Sequence, residues 1–241
     1  MPPSVQFEHS TQSKRSLKTK NPSPRELQQL HTLYLNIRTR YLPSNLNLSI
    51  SRLLESKTRP TVTKVVSLGL GSFKSADQNR RIKQLTILIA ISEQLRQYTP
   101  EIEIYAQDPS FSKIDEAFLQ SFGVHILRTP SATDLGEAAQ YIDESTLVYS
   151  PFLTLEAYQL LFSTKTINFF IGDDFDALRV KWPKHTSGRN EAEVLFRKFI
   201  QSLRKRIISR DDEFWDPEDK PFPMAMYSNA SQRGKKLQAK L

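Results

Sequence analysis

The stretch Val62-Thr-Lys-Val-Val-Ser-Leu-Gly-Leu-Gly-Ser72 constrains this chain more than any other. β-Branched and apolar residues run into two closely spaced glycines, and a long apolar helical pattern follows. That succession predicts the first strand, turn and helix of a parallel α/β sheet. Open sheets of this kind take ligands at the carboxyl ends of their strands, so the turn also marks a candidate site.

The rest of the chain repeats the alternation. Strands are expected over 62–68, 101–107, 124–127, 146–150 and 166–171, with helical patterns between them. The expected fold is α/β: a Rossmann-like, doubly wound, mostly parallel sheet of five strands. Ahead of it, Ser23-Pro24-Arg25-Glu26 carries an N-cap serine, a first-turn proline and a glutamate placed to close a capping box. Leu27, Leu30, Tyr34, Ile37 and Tyr41 then recur at helical spacing, and Pro43 stops the helix. Residues 176–190 read as a loop. Residues 191–209 read as a last helix, whose Arg204-Lys-Arg206 cluster would suit the negative end of the helix dipole. The implied organisation is a disordered basic tail (1–22), an N-terminal helical extension (23–58), a Rossmann-like domain (59–210) and a largely disordered C-terminal extension (211–241).

Composition removes several function classes. The absence of cysteine excludes disulfides, thiolate catalysis and cysteine zinc sites. The four histidines are not spaced as neighbouring ligands, so no metal site is expected. Nothing approaches the roughly 20 consecutive apolar residues of a membrane span, and no secretory signal opens the chain, so a cytoplasmic or nuclear protein is expected. The net charge of +8 is concentrated toward the ends, at Lys14, Arg15, Lys18 and Lys20 and at Arg233, Lys235, Lys236 and Lys240. Such tails bind nucleic acid without sequence preference or remain solvated.

The candidate binding residues are those at strand ends. They are Gly69, Gly71 and Ser72 after strand one, Asp108 after strand two, Ser150 after strand four, and Gly172 and Asp173 after strand five. Glycines permit close approach of a ligand to backbone amides, and an acid after strand two is placed to meet ribose hydroxyls. Bland readings stand beside these. The glycines also suit a tight turn, Asp108 a turn acid ahead of Pro109, and Asp173-Asp174 a helix cap. Lys74 stands where a full dinucleotide fingerprint has glycine or alanine, and no phosphate-loop lysine–serine pair is present. No catalytic residue is identifiable.

Val66-Ser-Leu-Gly-Leu-Gly-Ser-Phe73, followed by Arg81 and Gln84-Leu85, resembles the opening motif of the sensitivity-to-red-light-reduced (SRR-like) family. The resemblance continues through Tyr105, Asp108-Pro109, Phe111, Leu119 with Gly123, Val148-Tyr-Ser-Pro151 and Ile171-Gly-Asp-Asp-Phe175, about residues 60–175. Two positions depart from it: no histidine accompanies Pro151, and Asp173 stands where asparagine is common. The resemblance implies regulation, including light and circadian signalling in plants and haem-biosynthesis or cytoskeletal phenotypes elsewhere. It implies protein partners and no defined reaction. The expected function is therefore an SRR-like regulatory protein binding a nucleotide-type small molecule at the strand-one turn. The alternative is a methyltransferase-like enzyme. The cofactor is left open between S-adenosylmethionine and a dinucleotide.

Overall fold

The computed structural model describes residues 23–55, 61–131, 133–209, 213–219 and 221–229. The disorder expected of residues 1–22 and 230–241 concerns chain outside these residues.

Two helices open the chain, α1 (Pro24–Tyr41) and α2 (Asn45–Leu54). Pro24 occupies the first turn, where its missing N–H removes no helical bond. The expected capping box does not form: Ser23 makes no side-chain cap bond, and Glu26 pairs with Lys74 at 2.8 Å. In α2 the Ser44 hydroxyl does cap, accepting from Asn47 N at 3.1 Å. Leu30, Tyr34, Ile37 and Tyr41 of α1 are buried in the same hydrophobic cluster as the sheet. The extension therefore shares the core of the α/β body.

The sheet has seven strands, not five. The first five are β1 (Lys64–Leu68), β2 (Glu103–Gln107), β3 (Val124–Leu127), β4 (Thr146–Ser150) and β5 (Phe169–Asp173). They are parallel in the order β3-β2-β1-β4-β5. Between them run α3 (Gln78–Arg96), α4 (Lys113–Gln120), α5 (Ala138–Tyr141) and α6 (Leu155–Thr164). Then come α7 (Phe175–Lys181), α8 (Ser187–Leu195) with a π-helical turn over Phe196–Ile200, β6 (Leu203–Ile207) and β7 (Met224–Asn229). β7 inserts antiparallel between β5 and β6, so the sheet is mixed.

Three local expectations are corrected here. The helix expected over 191–209 ends at a π turn and gives way to β6, because a partner strand some twenty residues later captures its backbone. Leu203 and Ile207, four apart, fit a helix face and a five-residue strand equally well. Lys205 then pairs with Asp174 and, at 2.7 Å, with Asp176 across the sheet end, rather than capping a helix. The supposed loop at 176–190 contains α7 and the start of α8. Asp174 caps α7 by accepting from Asp176 N at 2.9 Å, and Trp182 is extended ahead of Pro183, as a residue preceding proline prefers. Within 211–229, taken as the start of a largely disordered extension, β7 is instead an interior strand buried over Met224–Tyr227.

Strand alternation divides the core. Val65, Ile104, Leu147, Tyr149, Ile171 and Met226 face α1–α4, whereas Val66, Tyr105, Val148, Phe170, Ala225 and Tyr227 face the layer of α5–α8. The strand order reverses between β1 and β4, which leaves a crevice beyond their carboxyl ends.

Candidate functional site

A cleft of about 220 Å³ lies at that reversal. Its walls are Leu68, Gly69, Gln107, Asp108 and Pro109 from the β1 and β2 ends, Phe152, Leu153, Thr154, Ala157 and Leu160 from the start of α6, and Thr129, Ser131, Asp134 and Leu135 from the connection after β3. Arg81 of α3 reaches it too. A larger groove of about 480 Å³ runs along edge strand β3 past His125 and Tyr141, away from the reversal.

The glycine turn closes on itself. Gly69 N donates to Gln107 O at 3.1 Å, and Gly71 N donates to Asp108 Oδ2 at 2.8 Å. Both glycines have positive φ, +77° and +72°. A Cβ at Gly69 would stand 2.5 Å from Leu153 Cδ2, and one at Gly71 2.6 Å from Arg81 Nε. The glycines thus serve conformation and close approach. Their amides are already bonded and form no free cradle for a pyrophosphate.

Asp108 sits where a ribose partner was expected, and it also satisfies the turn-acid reading. Its Oδ1 accepts from Ser110 N at 2.8 Å and from the Ser110 hydroxyl at 2.5 Å. With Oδ2 on Gly71 N, three of a carboxylate's roughly four acceptor positions are used. One is left unused among the described residues.

The other candidates lie behind the walls. The Ser72 hydroxyl donates to Asp115 Oδ2 at 2.8 Å, and Asp115 also accepts from Phe73 N at 2.9 Å and closes the capping box of α4 with Ser112. The Ser150 hydroxyl, fully buried, donates to Leu68 O at 3.0 Å and locks β4 to β1. Gly172 lies under the Phe170 ring, where a Cβ would be 2.3 Å from Cζ. Asp173, 3% exposed, accepts from Phe152 N at 3.0 Å. Burial pushes its carboxyl up to about 6, against the lowering effect of that hydrogen bond, of Tyr158 and of Lys181. Of the seven residues singled out in the sequence, then, Gly69 and Asp108 line the cleft. The other five build its supports.

What Asp173 holds is unusual. Phe152 has φ +68°, a region costly for an L residue with a large side chain. Its ring stands 6.4 Å from Trp215, edge to face, with the Arg80 guanidinium 6.0 Å away. No sequence signal marks Phe152 as a left-handed residue, because glycine or asparagine is the usual marker. Gln107 went unread as well. Its side chain bonds Leu135 O and Ala138 N, both at 2.9 Å, and so fixes the far wall. Asp115 was legible from Ser112-x-x-Asp115, a capping pattern at a helix start. Among the described residues, no group of three or more histidines, aspartates or glutamates is placed to hold a metal.

The family model of the SRR1 domain matches residues 27–226. The chain belongs to the SRR1 domain family. The match is longer than the 60–175 of the sequence resemblance and takes in most of α1, all of α2, β6 and the first half of β7. That agrees with the core cluster that α1, α2 and β7 share with the sheet. No curated protein sequence matches the chain. Among solved structures, this SRR1 domain is similar to cofactor-bound Rv0187 from MTB, at 10% identity and TM-score 0.46, covering 86% of this chain and 90% of that one. It is similar to Aeropyrum pernix fibrillarin with natively bound S-adenosyl-L-methionine, at 10% identity and TM-score 0.45, covering 76% of each. It is also similar to the plantazolicin methyltransferase BpumL in complex with SAH, at 13% identity and TM-score 0.39, covering 86% and 91%. Identities this low speak to fold alone.

Proposed function

We propose that this SRR1 domain is a regulatory ligand-binding protein that takes a nucleoside-sized small molecule in the cleft at the β1–β4 reversal. The observation that carries the reading is the cleft itself. It lies where open α/β sheets bind ligands, its lining is mostly apolar, and one wall is held by a residue in a strained conformation. At about 220 Å³ it is smaller than the roughly 300–1,000 Å³ of typical small-molecule sites, which favours one nucleoside over a dinucleotide. The occupied glycine amides point the same way. Asp108 offers its remaining acceptor position to a sugar hydroxyl. Asp173, the carboxyl whose pKa lies near neutrality, does not line the cleft, which favours binding over acid–base chemistry there.

Calorimetric titration of the full chain with S-adenosylmethionine, S-adenosylhomocysteine, ATP and NAD tests this. Micromolar binding of at least one single-nucleoside probe is expected, lost in Ala157→Phe, which fills the cleft. Absence of binding by all four, or binding unchanged by Ala157→Phe, overturns the reading. Methyl transfer from labelled S-adenosylmethionine to a cell extract would instead favour the enzyme alternative in the same cleft.

A further inference from the structure

The polar groups of the cleft are unequally satisfied. Asp134 Oδ1 accepts from Gly136 N at 2.7 Å, and Asp108 is held by Gly71 and Ser110. Thr129 donates to backbone carbonyls, and Thr154 accepts from Ala157 N as the cap of α6. Arg81 differs. Among the described residues its Nε is buried without a partner, and its one side-chain hydrogen bond, to Gln84 Oε1, is 3.5 Å long, the outer limit for such a bond. It has no carboxylate oxygen within 4 Å among the described residues, while Arg38, Arg40, Arg80, Arg128, Arg179 and Arg189 each have one.

We infer, resting on the cleft reading above, that the ligand carries an anionic group, a carboxylate or a phosphate, that pairs with the Arg81 guanidinium. A guanidinium presents five donors in a planar fork matched to such groups, and here almost all of them are unspent. The turn is shaped around it, since any side chain at position 71 would meet Nε at 2.6 Å and Cζ at 2.7 Å. The surrounding charges leave the anion position open. Asp108 and Asp77 attract the cation only from beyond ion-pair distance, and Arg80, though paired to Asp77 at 2.5 Å, adds positive potential. Desolvation, and after it the neighbouring Arg80 charge, lowers the Arg81 pKa, the mark of a cation short of compensation. The N-terminal end of α6, at Thr154 and Ala157, lines the same cleft and adds to the field.

Matched probes test the inference on the full chain: adenosine 5′-monophosphate against adenosine, and S-adenosylhomocysteine against 5′-methylthioadenosine, which lacks the amino-acid carboxylate. In wild type the charged member of at least one pair binds tenfold or more tightly, and the pair that discriminates tells phosphate from carboxylate. Arg81→Gln removes the discrimination and keeps the affinity for the uncharged member; Arg81→Lys, a point charge, keeps part of it. Circular dichroism confirms that both variants are folded. Equal binding of charged and uncharged members by wild type, or discrimination that survives Arg81→Gln, overturns the inference while the nucleoside reading stands. If no nucleoside binds, thermal stabilisation by inorganic phosphate in wild type but not Arg81→Gln upholds the anion site and sinks the nucleoside reading. Stabilisation of neither, or of both alike, overturns the anion site as well.

Discussion

Lys83 of α3 has a side chain 1% exposed, and its ammonium is shared by Asp216 at 2.6 Å and Asp219. Asp219 is 5% exposed, and the rings of Phe214 and Trp215 stand 5.6 and 5.8 Å from the cation. Lys83→Met keeps the volume and removes the charge. It leaves the Asp219 carboxylate with the Asp216 N–H, at 2.9 Å, as its remaining bond among the described residues. Breaking a buried pair from one side costs about 3–5 kcal/mol. Asp216 suffers less, because it is 38% exposed and keeps Arg40 at 3.0 Å; a pair this exposed is worth at most about 1 kcal/mol. A loss of about 3–4 kcal/mol is therefore expected for Lys83→Met, a large part of a domain's total of about 5–15. Lys83→Met with Asp219→Leu removes both charges and should recover about 2 kcal/mol or more, since apolar replacement of a buried pair is often neutral. Urea unfolding followed by circular dichroism, with the two single variants closing a cycle, measures the coupling. A Lys83→Met loss under about 1 kcal/mol, or a double variant no more stable than the worse single one, refutes the argument.

Three further outcomes are expected. Asp173, raised to about 6, keeps a proton in the folded chain that the unfolded chain has released between about pH 4 and 6. Wild-type stability should therefore fall, relative to Asp173→Asn, by about 3 kcal/mol as pH rises through that window, and a difference independent of pH contradicts it. Gly172→Ala should lower stability by about 3 kcal/mol or more. Its Cβ would lie 2.3 Å from Phe170 Cζ and 2.8 Å from Ser150 O in mid-sheet; an unchanged melting temperature would disprove this. Asp108→Ala should cost about 1–2 kcal/mol by orphaning the Gly71 and Ser110 amides, with Asp108→Asn milder; thermal melts that rank them the other way count against the turn-anchor role.

The sequence made the parallel part of the sheet readable because each of β1–β4 is a short apolar run bounded by a turn signal, such as Gly69, Asp108 or Pro151. β7 carried no such mark. Met224-Ala-Met-Tyr227 is apolar on both faces, lacks β-branched residues and follows Pro221 and Pro223, so local pattern points to an irregular tail. Its strand state comes from two long-range ladders, and it takes β6 out of the helix expected there. The candidate site divides the same way. Strand-end geometry located the crevice, but which groups face it depends on φ at Phe152 and on bonds such as Asp173 to Phe152 N and Asp108 to Gly71 N. These join residues 21 and 37 positions apart, and spacing in sequence does not encode them.

The insertion of β7 between β5 and β6 also sets the order of events during synthesis. β5 and β6 both precede the strand that joins them, so a chain emerging amino-end first holds two open sheet edges until Met224–Asn229 is released. The parallel half can assemble early, by local crossovers, while the other half waits for its keystone. A chain truncated before Met224 would retain every residue that lines the crevice and still expose the Phe169–Asp173 edge to any passing strand. Premature termination near the carboxyl end is thus a route to aggregation rather than to a smaller working protein.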